Sequence, residues 1–281
     1  MAGSQGTRIA ILGGGNIGSA IARGLAAAGL AEPAGITLTR RKVEALDALK
    51  SQGFAVTTDN LKAVRDSGLV FLAVTPQQLN ALLAEIRPGL DSRRHTVVSI
   101  VSGATITEIR RHLGDGVVVI RAMPNTAIAI RQSMTCLATD RDERGALELV
   151  TGMFDALGKT LVVDEGLMVP ATALCACGIA FFLRAIRAAS QGGIEIGFHA
   201  ADALLMAAQT AKGAASLLVE GGNHPENEVD RVTTPQGCTI TGLNQMEHNG
   251  FSSALIKGIV TSAEKAAVLY APKPAQPGGI D

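Results

Sequence analysis

The chain has 281 residues, with 25 Lys and Arg against 25 Asp and Glu, so its formal net charge is zero. That balance excludes a basic nucleic-acid-binding protein and an acidic disordered chain. Hydrophobic residues make up 47% and charged residues only 18%, below the usual charged share of about 25%, so the surface is either charge-poor or largely covered.

A single core stops growing near roughly 250 residues, so two domains are expected. Residues 1–6 lack the basic and apolar regions of a secretory leader. Strand-like runs follow at Ile9–Leu12, Ile36–Thr39, Leu69–Val74, Thr96–Ile100 and Val117–Arg121, with weaker ones at Met134–Leu137 and Thr160–Val163. Between them, Ile17–Ala28, Val43–Ser51, Pro76–Ile86 and Ala146–Leu157 carry apolar residues at helical spacing. Regular alternation of strand and helix predicts crossover units and a parallel sheet over residues 1–165.

Beyond Val163 the pattern turns helical, at Leu167–Ala189, Ala200–Glu220, Cys238–His248 and Ser252–Tyr270. Residues 1–165 hold 34 charged side chains and 166–281 hold 16, so the charge deficit lies mainly in the helical half. Leu167–Leu183 is nearly all apolar but contains Pro170 and Thr172 and falls short of the roughly 20 residues of a membrane span. It reads as a buried or subunit-interface helix, with no membrane partner. The expected layout is 1–165 as a dinucleotide-binding domain, 166–270 as an all-helical domain, and the Pro- and Gly-rich 271–281 as a disordered tail. Cys136, Cys175, Cys177 and Cys238 show neither a disulfide framework nor metal-site spacing, which predicts a reduced, cytoplasmic protein without a metal.

Gly13-Gly-Gly15-Asn16-Ile17-Gly18 follows the first strand and opens the first helix, the setting of a dinucleotide fingerprint. Gly13 permits the tight turn, Gly15 lets the main chain approach a pyrophosphate, and Gly18 lets helix and strand pack closely. The helix N-terminus then faces the phosphates with free N–H groups. After the second strand stand Arg40, Arg41 and Lys42, with no carboxylate for a ribose 2′-hydroxyl, so NADP(H) is preferred and NAD(H) remains open. Asn60 is placed to reach the same phosphate edge. Ala73-Val74-Thr75-Pro76 and Ser99–Ala104 end two further strands, where ligands bind in open parallel sheets.

The helical half is poor in acids for reducing a carbonyl. Its one Tyr is Tyr270, no Lys lies between Lys159 and Lys212, and the five His residues are scattered in polar, surface-like settings. A C=N substrate fits better, because a protonated imine is already electrophilic. Thr233-Thr234-Pro235-Gln236-Gly237-Cys238-Thr239 reads as a helix start, with Thr234 as cap and Pro235 in the first turn, suited to holding a carboxylate.

With Gly13 to Gly18, Ala73-Val-Thr-Pro76, Arg121-Ala-Met-Pro-Asn125-Thr126, Val163-Asp-Glu165 and Val232-Thr-Thr-Pro-Gln-Gly-Cys-Thr-Ile240, the chain resembles pyrroline-5-carboxylate reductase from about Arg8 to Leu269. The resemblance implies a Rossmann-type domain followed by an all-α dimerisation domain, and NAD(P)H-dependent reduction of 1-pyrroline-5-carboxylate to L-proline. It also implies homodimers, commonly assembled into decamers. By resemblance the glycine loop holds the pyrophosphate, Arg40, Arg41 and Asn60 the adenosine phosphate, and Ala73 to Pro76 with Asn125 the nicotinamide side. Gly237, Cys238 and Thr239 would hold the substrate carboxylate, Thr239 through its hydroxyl as the catalytic-site residue. Three departures stand out: Thr75 where the family has Lys, Gln236 where it has Gly, and Cys175–Phe181 where it has a hydroxyl-rich segment. They leave a reductase of another cyclic imino acid, and an NADP-binding sensor or scaffold, as alternatives.

Overall fold

In the computed structural model, residues 8–270 are described; the expected leader-free start and the expected tail lie outside the described residues. The strands are β1 (Ile9–Leu12), β2 (Ile36–Thr39), β3 (Ala55–Thr57), β4 (Leu69–Leu72), β5 (Thr96–Ser99), β6 (Val118–Met123), β7 (Ser133–Ala138) and β8 (Gly158–Val162). They form one sheet in the order β3-β2-β1-β4-β5-β6-β7-β8. The order reverses between β1 and β4, which are hydrogen-bonded neighbours, and this is the switch point where open sheets bind ligands.

The sheet is not wholly parallel, as the alternation had predicted. β6 and β7 pair antiparallel, because the link from Met123 to Ser133 contains only a short 3-10 turn, Thr126–Ile130, whereas a parallel crossover needs a dozen or more residues. β1 and β4 are buried along their length, so successive side chains feed opposite cores. Ile9, Ile11 and Phe71 enter one core with Ile21, Leu25, Val150 and Phe154. Ala10, Leu12, Val70 and Leu72 enter the other with Leu79, Leu83, Ile106 and Ile109.

The helices around the sheet are α1 (Asn16–Ala27), α2 (Asp47–Lys50), α3 (Asn60–Arg65), α4 (Pro76–Ile86), α5 (Ile106–Leu113) and α6 (Ala146–Asp155). Later come α7 (Met168–Ala171), α8 (Gly178–Glu195), α9 (Ala200–Gly221), α10 (Pro225–Val232), α11 (Cys238–His248) and α12 (Phe251–Ala267). The expected single helix Leu167–Ala189 is interrupted by a π-helical turn at Thr172–Cys177 and runs on to Glu195. Pro170 lacks an N–H for the ladder, and the Thr172 hydroxyl donates to the Met168 carbonyl at 2.8 Å, a combination that loosens regular α pairing.

Two compact units result among the described residues: 8–176 together with 262–270, and Cys177–Thr261. Within the second unit α8 and α9 approach closely where Gly193 faces Ala203, so that a β-carbon on Gly193 would stand 3.0 Å from that of Ala203. Phe182, Leu183, Leu205, Val219 and Ile256 stand exposed on the helices of the single chain. The stretch Glu165–Glu195 is long and apolar enough to cross a membrane by length and composition.

Candidate active site

The glycine loop sits at the C-terminal edge of the sheet and is held from two sides. Gly13 and Gly14 donate their main-chain N–H groups to the Thr39 carbonyl at 3.2 and 2.8 Å, and Arg40 donates to the Gly14 carbonyl at 3.1 Å. A β-carbon on Gly13 would lie 2.3 Å from the Ala73 oxygen, and one on Gly18 would lie 2.2 Å from the Gly13 oxygen. Internal packing therefore demands glycine at both positions. Gly15 is different: a β-carbon there would meet nothing within 4 Å. It is the N-cap of α1, has extended backbone, and supplies no side-chain cap.

The first N–H groups of α1 thus point outward without a side-chain acceptor, and its first turn holds no acidic residue. The same holds for α4, whose N-cap Thr75 makes no capping bond and whose first residue is Pro76. By contrast Asp59 caps α3, and Thr105 with Glu108 forms a capping box on α5. At this edge, then, the two helices bordering the switch point are left open to an external anion. A bound dinucleotide fits this cradle: Asn16 and Ile17 open α1 after Gly15, Arg40 lies across the loop, and Arg41 beside it in sequence is exposed.

Other expected residues are engaged locally. Asn60 accepts from the Thr39 hydroxyl at 2.5 Å and donates to the Glu85 carboxylate at 3.1 Å, so it closes the gap between the ends of β2 and α4. Val74 packs against the second core. Asn125 accepts from the Ala127 N–H at 3.0 Å and donates to the Cys175 carbonyl at 3.3 Å, tying the end of β6 to the π-helical turn. Beneath it the Cys136 and Cys175 sulfurs lie 4.0 Å apart, both as free thiols. The Cys175 thiol holds that of Cys136 down to about 7, while Cys175 itself is pushed up by the same contact and by burial.

Gly237, Cys238 and Thr239 belong to the second unit. α11 spans Cys238–His248 as the helical pattern predicts, but its N-cap is Gly237, which corrects the expectation of a cap at Thr234 with Pro235 in the first turn. The reason is a tight turn, in which the Gly237 N–H bonds the Thr234 carbonyl at 2.9 Å and Gln236 takes φ +58. No side chain caps α11, and Thr239 is half-buried in its first turn.

Two residues that sequence reading left without a role are joined. Arg121 on β6 is buried and pairs with Glu165 at 3.2 Å, and the same carboxylate accepts from the Ile106 N–H at 2.6 Å. Burial lowers the Arg121 pKa, opposed by Glu165. His95, expected at the surface, is buried instead, with Nδ1 accepting from the Asp91 N–H at 2.8 Å and Nε2 donating to the Val64 carbonyl at 3.1 Å. The Arg121–Glu165 pair and the His95–Val64 bond join distant segments, so spacing along the chain carries no trace of them.

Residues 165–269 match the family model described as pyrroline-5-carboxylate reductase dimerisation, and residues 8–103 match NADP oxidoreductase, coenzyme F420-dependent. Among curated proteins, pyrroline-5-carboxylate reductase 1 of Dictyostelium discoideum is 54% identical over 94% of this chain, which spans 50% of that protein's length. Pyrroline-5-carboxylate reductase 2 of the same organism is 49% identical, with 92% of each chain covered. The solved structure of a pyrroline-5-carboxylate reductase from Coxiella burnetii superposes with a TM-score of 0.86 at 28% identity, covering 95% of this chain and 99% of the other. The α/β nucleotide-binding sheet, its open switch-point cradle and these similarities together lead to one conclusion: the chain belongs to the pyrroline-5-carboxylate reductase family.

Proposed function

We propose that this chain reduces 1-pyrroline-5-carboxylate to L-proline with NADPH in preference to NADH, in the last step of proline biosynthesis. The observation that carries the reading is the open cradle at the switch point, where Gly15 leaves the α1 N-terminus clear and Arg40 lies across the loop. Gly13, Gly15, Asn16, Ile17 and Gly18 would hold the pyrophosphate, with Arg40, Arg41 and Asn60 at the 2′-phosphate. Ala73, Val74, Thr75, Pro76 and Asn125 would line the nicotinamide side. When bound, the reduced nicotinamide supplies the hydride that adds to the imine carbon.

The chain's own contribution is orientation. The uncapped α11 N-terminus at Gly237 and Cys238 would anchor the substrate carboxylate, and Thr239 would donate its hydroxyl to it. An imine that arrives protonated takes up hydride and becomes the amine with no further proton, so no strong acid is required beside it.

In this reading residues 1–165 serve as the NADP-binding domain and 166–270 as the substrate and dimerisation domain. The exposed apolar side chains of the second unit support self-association as a dimer or larger ring, up to a decamer. A cytoplasmic setting is supported by the spacing of Cys136, Cys175, Cys177 and Cys238, which forms no disulfide framework. A second substrate, a six-membered cyclic imino acid, is favoured by the loss of a cation at Thr75 and of hydroxyls over Cys175–Phe181.

The test is NADPH oxidation by purified protein with five- and six-membered cyclic imino acids, from mildly acidic to mildly basic pH. Turnover of pyrroline-5-carboxylate with a raised KM in Thr239→Ala is expected. Absence of turnover with that substrate at every pH removes the specific assignment, and cofactor binding without any turnover leaves the sensor reading.

A further inference from the structure

At the opposite end of the central strands lies a cavity of about 670 Å³ that the proposed reaction does not use. Arg8, Arg65, Arg93, Arg94 and Arg144 line it, with Asp66 as the one carboxylate among its lining residues. It opens where β1, β4 and β5 begin, whereas the cofactor cradle lies where β1 and β4 end. Strands of four residues separate the two ends by roughly 13 Å.

Three observations distinguish this cavity from an ordinary solvated rim. First, the cations outnumber the acids around it. Asp66 pairs with Lys62 at 2.6 Å and is within electrostatic reach of Arg8 and Arg94, while Asp91 accepts from the Arg93 N–H, Asp142 accepts from the Leu147 N–H, and Glu143 lies beside Arg141. Among the described residues, Arg8, Arg65, Arg93 and Arg94 make no ion pair.

Second, the frame is built. Buried His95 ties the 91–95 turn to the end of α3. Arg144 donates its two terminal nitrogens to the Arg93 and His95 carbonyls. Third, Arg144 holds φ +62, a left-handed conformation that a non-glycine residue adopts at a cost, and such positions concentrate at ligand clamps. Arg65 has an ordinary reason for its charge at the end of α3, where the helix dipole favours a cation, and Arg144 has one in the two carbonyls it holds, which leaves Arg8, Arg93 and Arg94 as the cations to explain.

We propose that this cavity is a second anion site, which binds a triphosphate group independently of the cofactor. Guanidinium forks suit phosphate oxygens in pairs, and several forks outside any ion pair around one cavity match a ligand carrying several charges. Ala146 and Leu149 add an apolar edge, which can cover the organic part of a nucleotide.

The test is calorimetric titration of the full chain, saturated with NADPH, with inorganic triphosphate and separately with ATP. Chloride at matched ionic strength serves as the control. Both anions should bind while NADPH remains bound. Similar affinities would place recognition on the phosphates, and a tighter ATP would add the apolar edge; either supports the site. Arg65→Gln and Arg94→Gln, both exposed and outside any ion pair, should each weaken triphosphate about tenfold and leave NADPH affinity unchanged. Competition with NADPH, unchanged binding in both variants, or equal heat from chloride would overturn the proposal.

Discussion

Arg40 is exposed yet spends a hydrogen bond on the Gly14 carbonyl, so it reports on the glycine loop as well as on any phosphate beside it. Replacing it with Asp puts a carboxylate where the 2′-phosphate of NADPH would lie. Arg40→Asp should raise the Kd for NADPH far more than that for NADH, measured by titration of each. Equal losses would mean that the residue only supports the loop. Gln236 offers a second reading at this scale. Its φ of +58 is a conformation that glycine adopts freely and other residues do not. Gln236→Gly should be neutral or slightly stabilising, because relief of strain is offset by the greater freedom of the unfolded chain. Gln236→Val should lower stability by about 1–2 kcal/mol, read from denaturant midpoints.

Elements are tied to one another by a few polar pairs, and the clearest joins α5 to the end of β7. Arg110 grips Asp140 with both terminal nitrogens, at 2.6 and 2.5 Å. The hydrogen bond from Arg110 holds the Asp140 carboxyl below its ordinary value. A carboxylate whose folded pKa is lowered stabilises the fold fully above its unfolded value of about 3.9 and loses that contribution as pH falls through the folded value. The Tm difference between the wild type and Asp140→Asn should therefore be constant near neutrality and shrink in acid. A difference independent of pH would assign the effect to packing.

Legibility in the sequence divides along the same line. The glycine loop, β1, α4 and α9 could be read directly, because their signals are local: spacing, flanking turns and periodicity. β3 has three residues and α3 six, too short to show a period. α10 is mostly polar and buries no residue, so it lacks an apolar stripe at helical spacing. The antiparallel turn at β6 and β7 was hidden in the length of a connection. The open N-terminus of α1 was legible in the glycine fingerprint, whereas that of α4 could be recognised only by seeing that Thr75 makes no capping bond. The arginine cavity draws its residues from four separate places along the chain.

For the molecule as a whole, the charge deficit noted in residues 166–281 has become a surface. Leu205 is 69% exposed and Val219 68% exposed on the single chain, along with Phe182, Leu183 and Ile256. Monomeric proteins rarely leave so many large apolar side chains open on neighbouring helices. Sedimentation at micromolar concentration should show a dimer or larger species, and Leu205→Glu should shift it toward monomer with loss of solubility. A stable, soluble monomer of the unaltered chain would contradict this. The same surface accounts for a Glu165–Glu195 stretch with the composition of a membrane span, since both situations favour apolar residues along a long helix.

The first compact unit is not contiguous, and this bears on how the protein is made. Ala266 is buried and Tyr270 packs against the core under α4 and α5, donating its phenol to Asn80 and lying against Gly103. A ribosome delivers both only after it has added all of Cys177–Thr261, a delay on the order of ten seconds at ordinary elongation rates. Until then the nascent nucleotide-binding sheet has its strands but lacks this last cover. The folding of this unit therefore ends only when synthesis has passed α12 and Tyr270, and a ribosome that stalls within α9 would present the cell with a half-closed sheet rather than with a finished domain.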